Sequence, residues 1–247
     1  MGYESAVDGP ATLLVADDEY VTRTALEAGT DLDFALGERH CAGTFVDGRH
    51  VPCDTAAAPH CDAHTERWPC ARCRGDCAKP IDACDEEHAV YLAAFAPDAF
   101  KVGVTRSWRL EERLREQGAD RAVRIRTVED GRRARQIEAG IATDVGDSVR
   151  VPRKVAGLHR SVDEAAWADL TEAYAVEARF DLDYGLDLDA RPVADTLARG
   201  TVRGVKGRVL VLDRDGTTYA VDLLDLVGHE MTRGASGSDR QSSLGAF

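Results

Sequence analysis

All seven cysteines of the 247-residue chain fall between Cys41 and Cys84, within 44 residues. The set is Cys41, Cys53, Cys61, Cys70, Cys73, Cys77 and Cys84, interleaved with His40, His50, His60 and His64. This segment carries too few large apolar residues to build a core of its own, so metal coordination would supply folding free energy it otherwise lacks. The odd count argues against a fully paired disulfide framework, and thiols in a reducing compartment are more often metal ligands. Cys70 and Cys73, two residues apart, form a knuckle that can grip one face of a tetrahedral zinc ion. Their natural partners are Cys41 and Cys53. Cys61, Cys77 and Cys84, with His64, remain as the candidate ligands of a second zinc ion. A redox role for Cys70 and Cys73 is the weaker reading, because no strand-helix context of the thioredoxin kind follows them.

Charge is the second constraint. The formal net charge is −13, and the chain has only four lysines beside 27 arginines, with 28 aspartates and 16 glutamates. An acidic, lysine-poor surface is expected of a halophilic protein kept soluble in molar salt, where the Debye length falls to about 3 Å. Global charge therefore does not exclude a nucleic-acid partner. The longest apolar run, Ala89 to Ala96, is far short of a membrane span, and the first ten residues have no signal-peptide pattern, so a cytoplasmic location and no membrane partner are expected.

The segment after the cysteines shows clear periodicity. Ala89 to Phe95 reads as a buried strand, Ala96 to Ala99 as a turn and Phe100 to Thr105 as the hairpin partner. Ser107 is placed to cap a helix whose Leu110 and Leu114 share a face, and Gly118 to stop it. Ala122 to Thr127 alternates like a half-buried strand. Asp130 then caps a helix carrying Ala134, Ile137 and Ile141. The predicted order is ββαβα.

That order, with Tyr91 in Val90-Tyr91-Leu92, Lys101-Val102-Gly103 followed by Thr105, Arg113 on the first helix and Glu138 in Ala134-Arg-Gln-Ile-Glu138, resembles the GIY-YIG nuclease core. More specifically, His88-Ala-Val-Tyr-Leu-Ala93, Lys101-Val-Gly-Val-Thr-Arg106, Arg113, Gln117-Gly-Ala119 and the C-terminal Gly204-Val-Lys-Gly207 resemble a family of unknown function in bacteria and archaea that couples a cysteine cluster to such a segment. The nuclease resemblance implies a catalytic set of Tyr91, Lys101, Arg113 and Glu138. In it Tyr91 orients or deprotonates water, Arg113 stabilises the transferring phosphoryl group and Glu138 holds magnesium. Two departures stand out. Lys101 occupies the place of the second tyrosine, and Gln117, which cannot act as a base, occupies that of a histidine.

Local charge points the same way without the resemblance. Lys101 to Gln136 holds eleven basic and six acidic residues, a +5 window in a −13 chain. A basic stripe of this kind fits phosphate contacts with DNA or RNA, through Arg106, Arg109, Arg124 and Arg126 in particular. The bland alternative is intrahelical ion pairing, such as Glu111 with Arg115 or Glu112 with Arg109. Trp108 is either a packing anchor or a base-stacking platform.

Downstream, Ser161 with Glu164 reads as a capping box for a helix through Trp167, Leu170 and Tyr174 to about Arg179. Asp181 to Asp189 reads as an acidic linker or edge segment. Gly200 to Val205, Arg208 to Leu212 and Thr218 to Leu223 read as strands, with a hairpin turn at Asp213 to Gly216, and Ala11 to Val15 and Leu32 to Leu36 as strands that join them. The expected fold class is therefore α+β: an N-terminal β segment (1–37), a cysteine-rich zinc module (38–86), the GIY-YIG-like ββαβα core (87–145), a helix and acidic linker (146–190), a small C-terminal β module (191–233) and a disordered tail (234–247).

Overall fold

The computed structural model describes residues 2–4, 9–17, 20–46, 49–65, 74–77 and 84–234. Strands β1 (Gly2–Glu4), β2 (Thr12–Asp17) and β3 (Tyr20–Ala25) form an antiparallel sheet. Strand β4 (Asp31–Arg39) leads into the cysteine-rich segment, where β5 (Thr44–Val46) and β6 (Arg49–Val51) make a short antiparallel ladder. There follow β7 (His88–Phe95), β8 (Ala99–Arg106), α1 (Leu110–Gln117), β9 (Arg121–Val128) and α2 (Gly131–Val145), the ββαβα order expected from the sequence. The chain continues through α3 (Val151–Gly157), α4 (Glu164–Glu172), β10 (Ala178–Asp181), β11 (Val193–Ala194), β12 (Ala198–Lys206), β13 (Val209–Arg214), β14 (Thr217–Asp222), α5 (Leu223–Leu226) and β15 (His229–Arg233).

The central sheet has the order β10-β9-β7-β8, with every neighbouring pair antiparallel. The near-continuous apolar run of β7 follows from its place inside, since a strand covered on both faces has no polar side to alternate with. Its Ala89, Tyr91, Ala93 and Phe95 pack with Leu110 and Leu114 of α1 on one face. Val90, Leu92 and Ala94 pack on the other with Ala134 of α2 and Trp167 of α4. Asp130 caps α2 as expected, its Oδ1 accepting from the Arg133 amide at 2.7 Å. Gly118 ends α1 at φ +69°, and the Ala119 amide reaches back to the Leu114 carbonyl at 3.1 Å.

Several elements differ from the sequence reading. Ser107 does not cap α1: residues Ser107–Arg109 form a 3₁₀ turn, and Arg109 precedes the helix without a side-chain cap. Asp163, rather than Ser161 with Glu164, caps α4, accepting from the amides of Ala165 and Ala166. That helix stops at Glu172, and Ala178–Asp181 pairs with β9 instead of extending it. Helix α3 lies within what reads as a connection. The acidic stretch is tied down: Leu182 and Leu188 are buried between its aspartates, and the Tyr184 hydroxyl donates to the Ala119 carbonyl at 2.9 Å.

The second large sheet runs β11-β14-β13-β12-β4-β15. Leu32 to Leu36 thus joins the C-terminal strands as expected. Ala11 to Val15 instead belongs to the three-stranded sheet, whose Ala11 and Leu13 pack into the same core as Leu32, Phe34, Val202 and Leu210. The β12-β13 turn rests on the end of α1. A Cβ at Gly207 (φ +60°) would come within 2.6 Å of the Gly118 nitrogen, so only glycine permits this approach. The tail from residue 235 lies outside the described residues.

Candidate functional site

Two clusters of chemically capable side chains stand apart in the fold. The first sits where β4 runs out. Cys41, Cys53, Cys61 and His64 place one ligand atom each within 4.8 Å of one another. His64 Nδ1 lies 3.4 Å from Cys41 Sγ and 3.3 Å from Cys61 Sγ. Usual Zn–S and Zn–N bonds at a tetrahedral centre put such atoms about 3.5 Å apart, so the spacing fits a shared metal.

The backbone prepares the thiolates. The amides of Gly43 and Cys61 point at Cys41 Sγ at 3.4 and 3.3 Å, offsetting the burial that pushes this thiol up. The Thr55 hydroxyl and amide hold the Cys53 thiol down to about 6. Gly43 (φ +69°) lets the chain fold tightly here, since a Cβ would fall 2.1 Å from the Val51 carbonyl oxygen. His40 and His50 do not join the cluster; their ring nitrogens contact the carbonyls of Cys41, Cys53 and Ala42.

This grouping redistributes the ligand sets expected from spacing. Cys41 and Cys53 are joined by Cys61 and His64, which had been placed in a second set. The working knuckle is Cys61-Asp-Ala-His64, whose two-residue gap matches that of Cys70 and Cys73 and was the signal available in the sequence. Cys70 and Cys73 lie outside the described residues. Cys77 and Cys84 are half-buried and outside this cluster.

The second cluster lies at the edge of the central sheet, on the α1 side. Tyr91 and Gly103 face each other across β7 and β8, and a Cβ at Gly103 would meet the Tyr91 ring and hydroxyl at 2.5 Å. Glycine is required here because the phenol lies over it. The Tyr91 hydroxyl accepts from Gln117 Nε2 at 3.0 Å, whereas Gln117 Oε1 is buried without a hydrogen-bond partner. Burial pushes the Tyr91 phenol up, with Arg113 and the Gln117 bond opposing and Glu138 adding to the rise. A phenol held protonated at neutral pH can orient a ligand by hydrogen bonding but cannot withdraw a proton.

Lys101, opposite Ala93 on the same face, is held down to about 8 by burial and by the Arg113 charge, with Glu138 and Asp147 opposing. Tyr91, Lys101, Arg113 and Glu138, from β7, β8, α1 and α2, thus act on one electrostatic neighbourhood. Glu138 is paired with Arg135 at 2.8 Å, and Arg113 with Glu116 at 2.8 Å. Arg135, one turn from Glu138, belongs to this neighbourhood and was not singled out from the sequence.

Much of the basic stripe is paired. Arg109 with Glu112 and Arg115 with Glu111 follow the intrahelical alternative, whereas Arg106 pairs with Glu86 and Arg124 with Glu177, both outside the stripe. Arg126 is exposed and has no ion pair among the described residues. Trp108 is 69% exposed, which excludes the packing-anchor reading.

A family model described as "Protein of unknown function (DUF2797)" matches residues 29–231, most of the chain. The chain belongs to this family. The match takes in the Cys/His cluster, the central sheet and the six-stranded sheet, and leaves β1 to β3 outside. No curated protein and no solved structure matches the chain. No helix among the described residues is long and apolar enough to cross a membrane.

Proposed function

We propose that this protein binds nucleic acid through a GIY-YIG-like core and carries out divalent-metal-dependent phosphodiester cleavage there, with a zinc ion at Cys41, Cys53, Cys61 and His64 fixing the adjoining module. The reading is supported by Tyr91 and Lys101 sharing one face of the β7-β8 ladder, where the charges of Arg113 and Glu138 act on both. In this reading Lys101 and Arg113 face a phosphate of the strand, and Arg113 also meets the charge that develops at the scissile group. Tyr91 donates a hydrogen bond that orients the attacking group. Glu138 supplies the hard carboxylate of a magnesium site that otherwise relies on water and substrate phosphate, a donor set magnesium commonly accepts. The metal, when bound, would supply an activated water and charge neutralisation. Arg126 and the exposed Trp108 lie close in sequence to the same elements and are suited to phosphate contact and base stacking.

Magnesium-dependent cleavage of DNA or RNA by the wild-type chain in molar KCl, lost in Glu138→Gln, is the expected result. Equal cleavage by both proteins would remove the catalytic role of Glu138. A second reading, binding without cleavage, is favoured by Gln117 and by the raised Tyr91 phenol, since neither group can serve as a base. Retention on nucleic acid that Arg113→Ala weakens, with no cleavage under any metal, would decide for it.

A further inference from the structure

Lysine is almost absent from this chain, and where it remains is informative. Of four lysines, Lys79 lies outside the described residues, while Lys101, Lys154 and Lys206 all stand around the end of α1. Lys206, on the β12-β13 turn, is paired with Asp120 at 2.5 Å and has a structural task. The other two have no carboxylate partner among the described residues. Lys154 Nζ donates to the Gln117 carbonyl at 2.7 Å and sits 4.6 Å from the centre of the Phe95 ring. Phe95 and Lys101 are diagonal neighbours on one face of the β7-β8 ladder, through the pairs Phe95 with Ala99 and Ala93 with Lys101. Backbone positions of such diagonal neighbours are about 7 to 8 Å apart, so the Lys154 ammonium over the Phe95 ring lies on the face of the ladder that carries Lys101.

Among the described residues neither Lys101 nor Lys154 forms an ion pair. Both are half-buried, and the charges acting most on Lys154 are all positive: Lys101, Arg208, Arg113 and Lys206. Two half-buried ammonium groups without an ion pair cost folding free energy that the more distant Glu138 and Asp147 offset only in part at Lys101, and an anion returns it. Each ammonium is a compact charge with three donors, suited to a phosphate approached from two sides.

We propose that Lys101 and Lys154 together clamp the monoester phosphate at the end of a nucleic-acid strand. This rests on the nucleic-acid reading above and specifies its ligand. An internal phosphodiester brings one negative charge and leaves one lysine unmatched. A terminal monoester brings nearly two at neutral pH and matches both. Helix α3 is the element that completes the clamp. It reaches the site because Gly157 lets it close on the β7-β8 turn, where a Cβ would fall 1.6 Å from the Ala96 carbonyl oxygen.

The test titrates the full chain with one labelled oligonucleotide bearing a 5′-phosphate, a 3′-phosphate or hydroxyls at both ends, and with inorganic phosphate and a nucleoside monophosphate. One phosphorylated oligonucleotide is expected to bind about tenfold tighter than the hydroxyl-ended form and than either small phosphate. Lys154→Met should abolish that preference and Lys154→Arg retain most of it, with thermal melts confirming that both fold; Lys101→Met provides a second variant with the same expectation. Equal binding of all three oligonucleotides overturns the clamp while leaving nucleic-acid binding intact. A preference that survives in folded Lys154→Met and Lys101→Met overturns it too. Inorganic phosphate binding that depends on Lys154, with no oligonucleotide bound, would instead place the failure in the nucleic-acid reading. A nucleoside monophosphate bound as tightly as the strand would overturn the strand end as ligand.

Discussion

The cysteine-rich module and the central sheet solve the problem of staying folded in opposite ways. Around Cys41 the described regular structure is one short ladder, and Phe45, Val46 and Val51 on it are exposed. What gathers there instead is Cys41, Cys53, Cys61 and His64, which could hold a metal ion. The central sheet buries β7 on both faces, with Tyr91, Leu92, Phe95 and Leu114 almost inaccessible. The difference teaches where each region can be broken: the module by removing a ligand or its metal, the sheet only by removing volume. It also explains why the second cluster can hold half-buried lysines without an ion pair among the described residues, since a sheet packed on both sides can tolerate a destabilising site at its edge.

The largest expected effect comes from the metal. Structural zinc in small modules contributes about 10 to 16 kcal/mol of apparent folding free energy. Chelation, or Cys61→Ala, should release one zinc equivalent and open residues 40–65 to protease, while residues 87–181 stay protected. Metal analysis with proteolytic mapping checks both halves, and equal loss of protection in the two regions would break the comparison. Next, Leu92→Ala should cost about 2 to 5 kcal/mol through the cavity left between the helices, with zinc content unchanged, as denaturant melts can show. Gly103→Ala should cost about 1 to 3 kcal/mol, because the added Cβ must displace the Tyr91 phenol; weakened oligonucleotide binding should accompany the loss.

The smallest effect has the opposite sign. Lys101 and Lys154 titrate at about 8 in the folded chain against an ordinary 10.5. Between those values the unfolded chain holds protons that the folded chain has released, so their contribution to stability rises with pH across that window. Below about pH 8 both carry charge in both states, and the penalty is fully present. Lys101→Met should therefore stabilise the protein at pH 7, on the order of 1 to 3 kcal/mol, and flatten the rise between pH 8 and 10.5. Stability that falls in this variant would show that Lys101 is satisfied by a partner.

The ββαβα core was legible because its signals are local: an apolar strand run, Asp130 before a periodic helix, and Gly118 after Gln117. The misreadings have physical causes. Trp167, Leu170 and Tyr174 suggest a helix carried through to Arg179, yet Val176, Ala178, Phe180 and Leu182 alternate with period two, and pairing with β9 decides for the strand. Helix α3 carries Pro152 in its first turn and Val151 and Val155 one turn apart, a pattern too short to stand out. The proposed site residues of the core could be named from the sequence because the resemblance spaces them along consecutive elements. The contact of Lys154 with Gln117 could not be, because only tertiary packing brings α3 there. At the Cys/His cluster, spacing singled out all four residues that could hold a metal ion but divided them between two sets, since the fold, rather than distance along the chain, brings side chains together.

Arg113 and Lys101 are central to the proposed phosphate site. The direct measurement is the affinity of the full chain for a labelled oligonucleotide, taken across KCl concentrations that keep it folded, for wild type, Arg113→Ala and Lys101→Met. Each substitution is predicted to weaken binding about tenfold or more and to make the logarithmic salt dependence shallower by about one contact. Affinity and salt slope unchanged in both folded variants would contradict it.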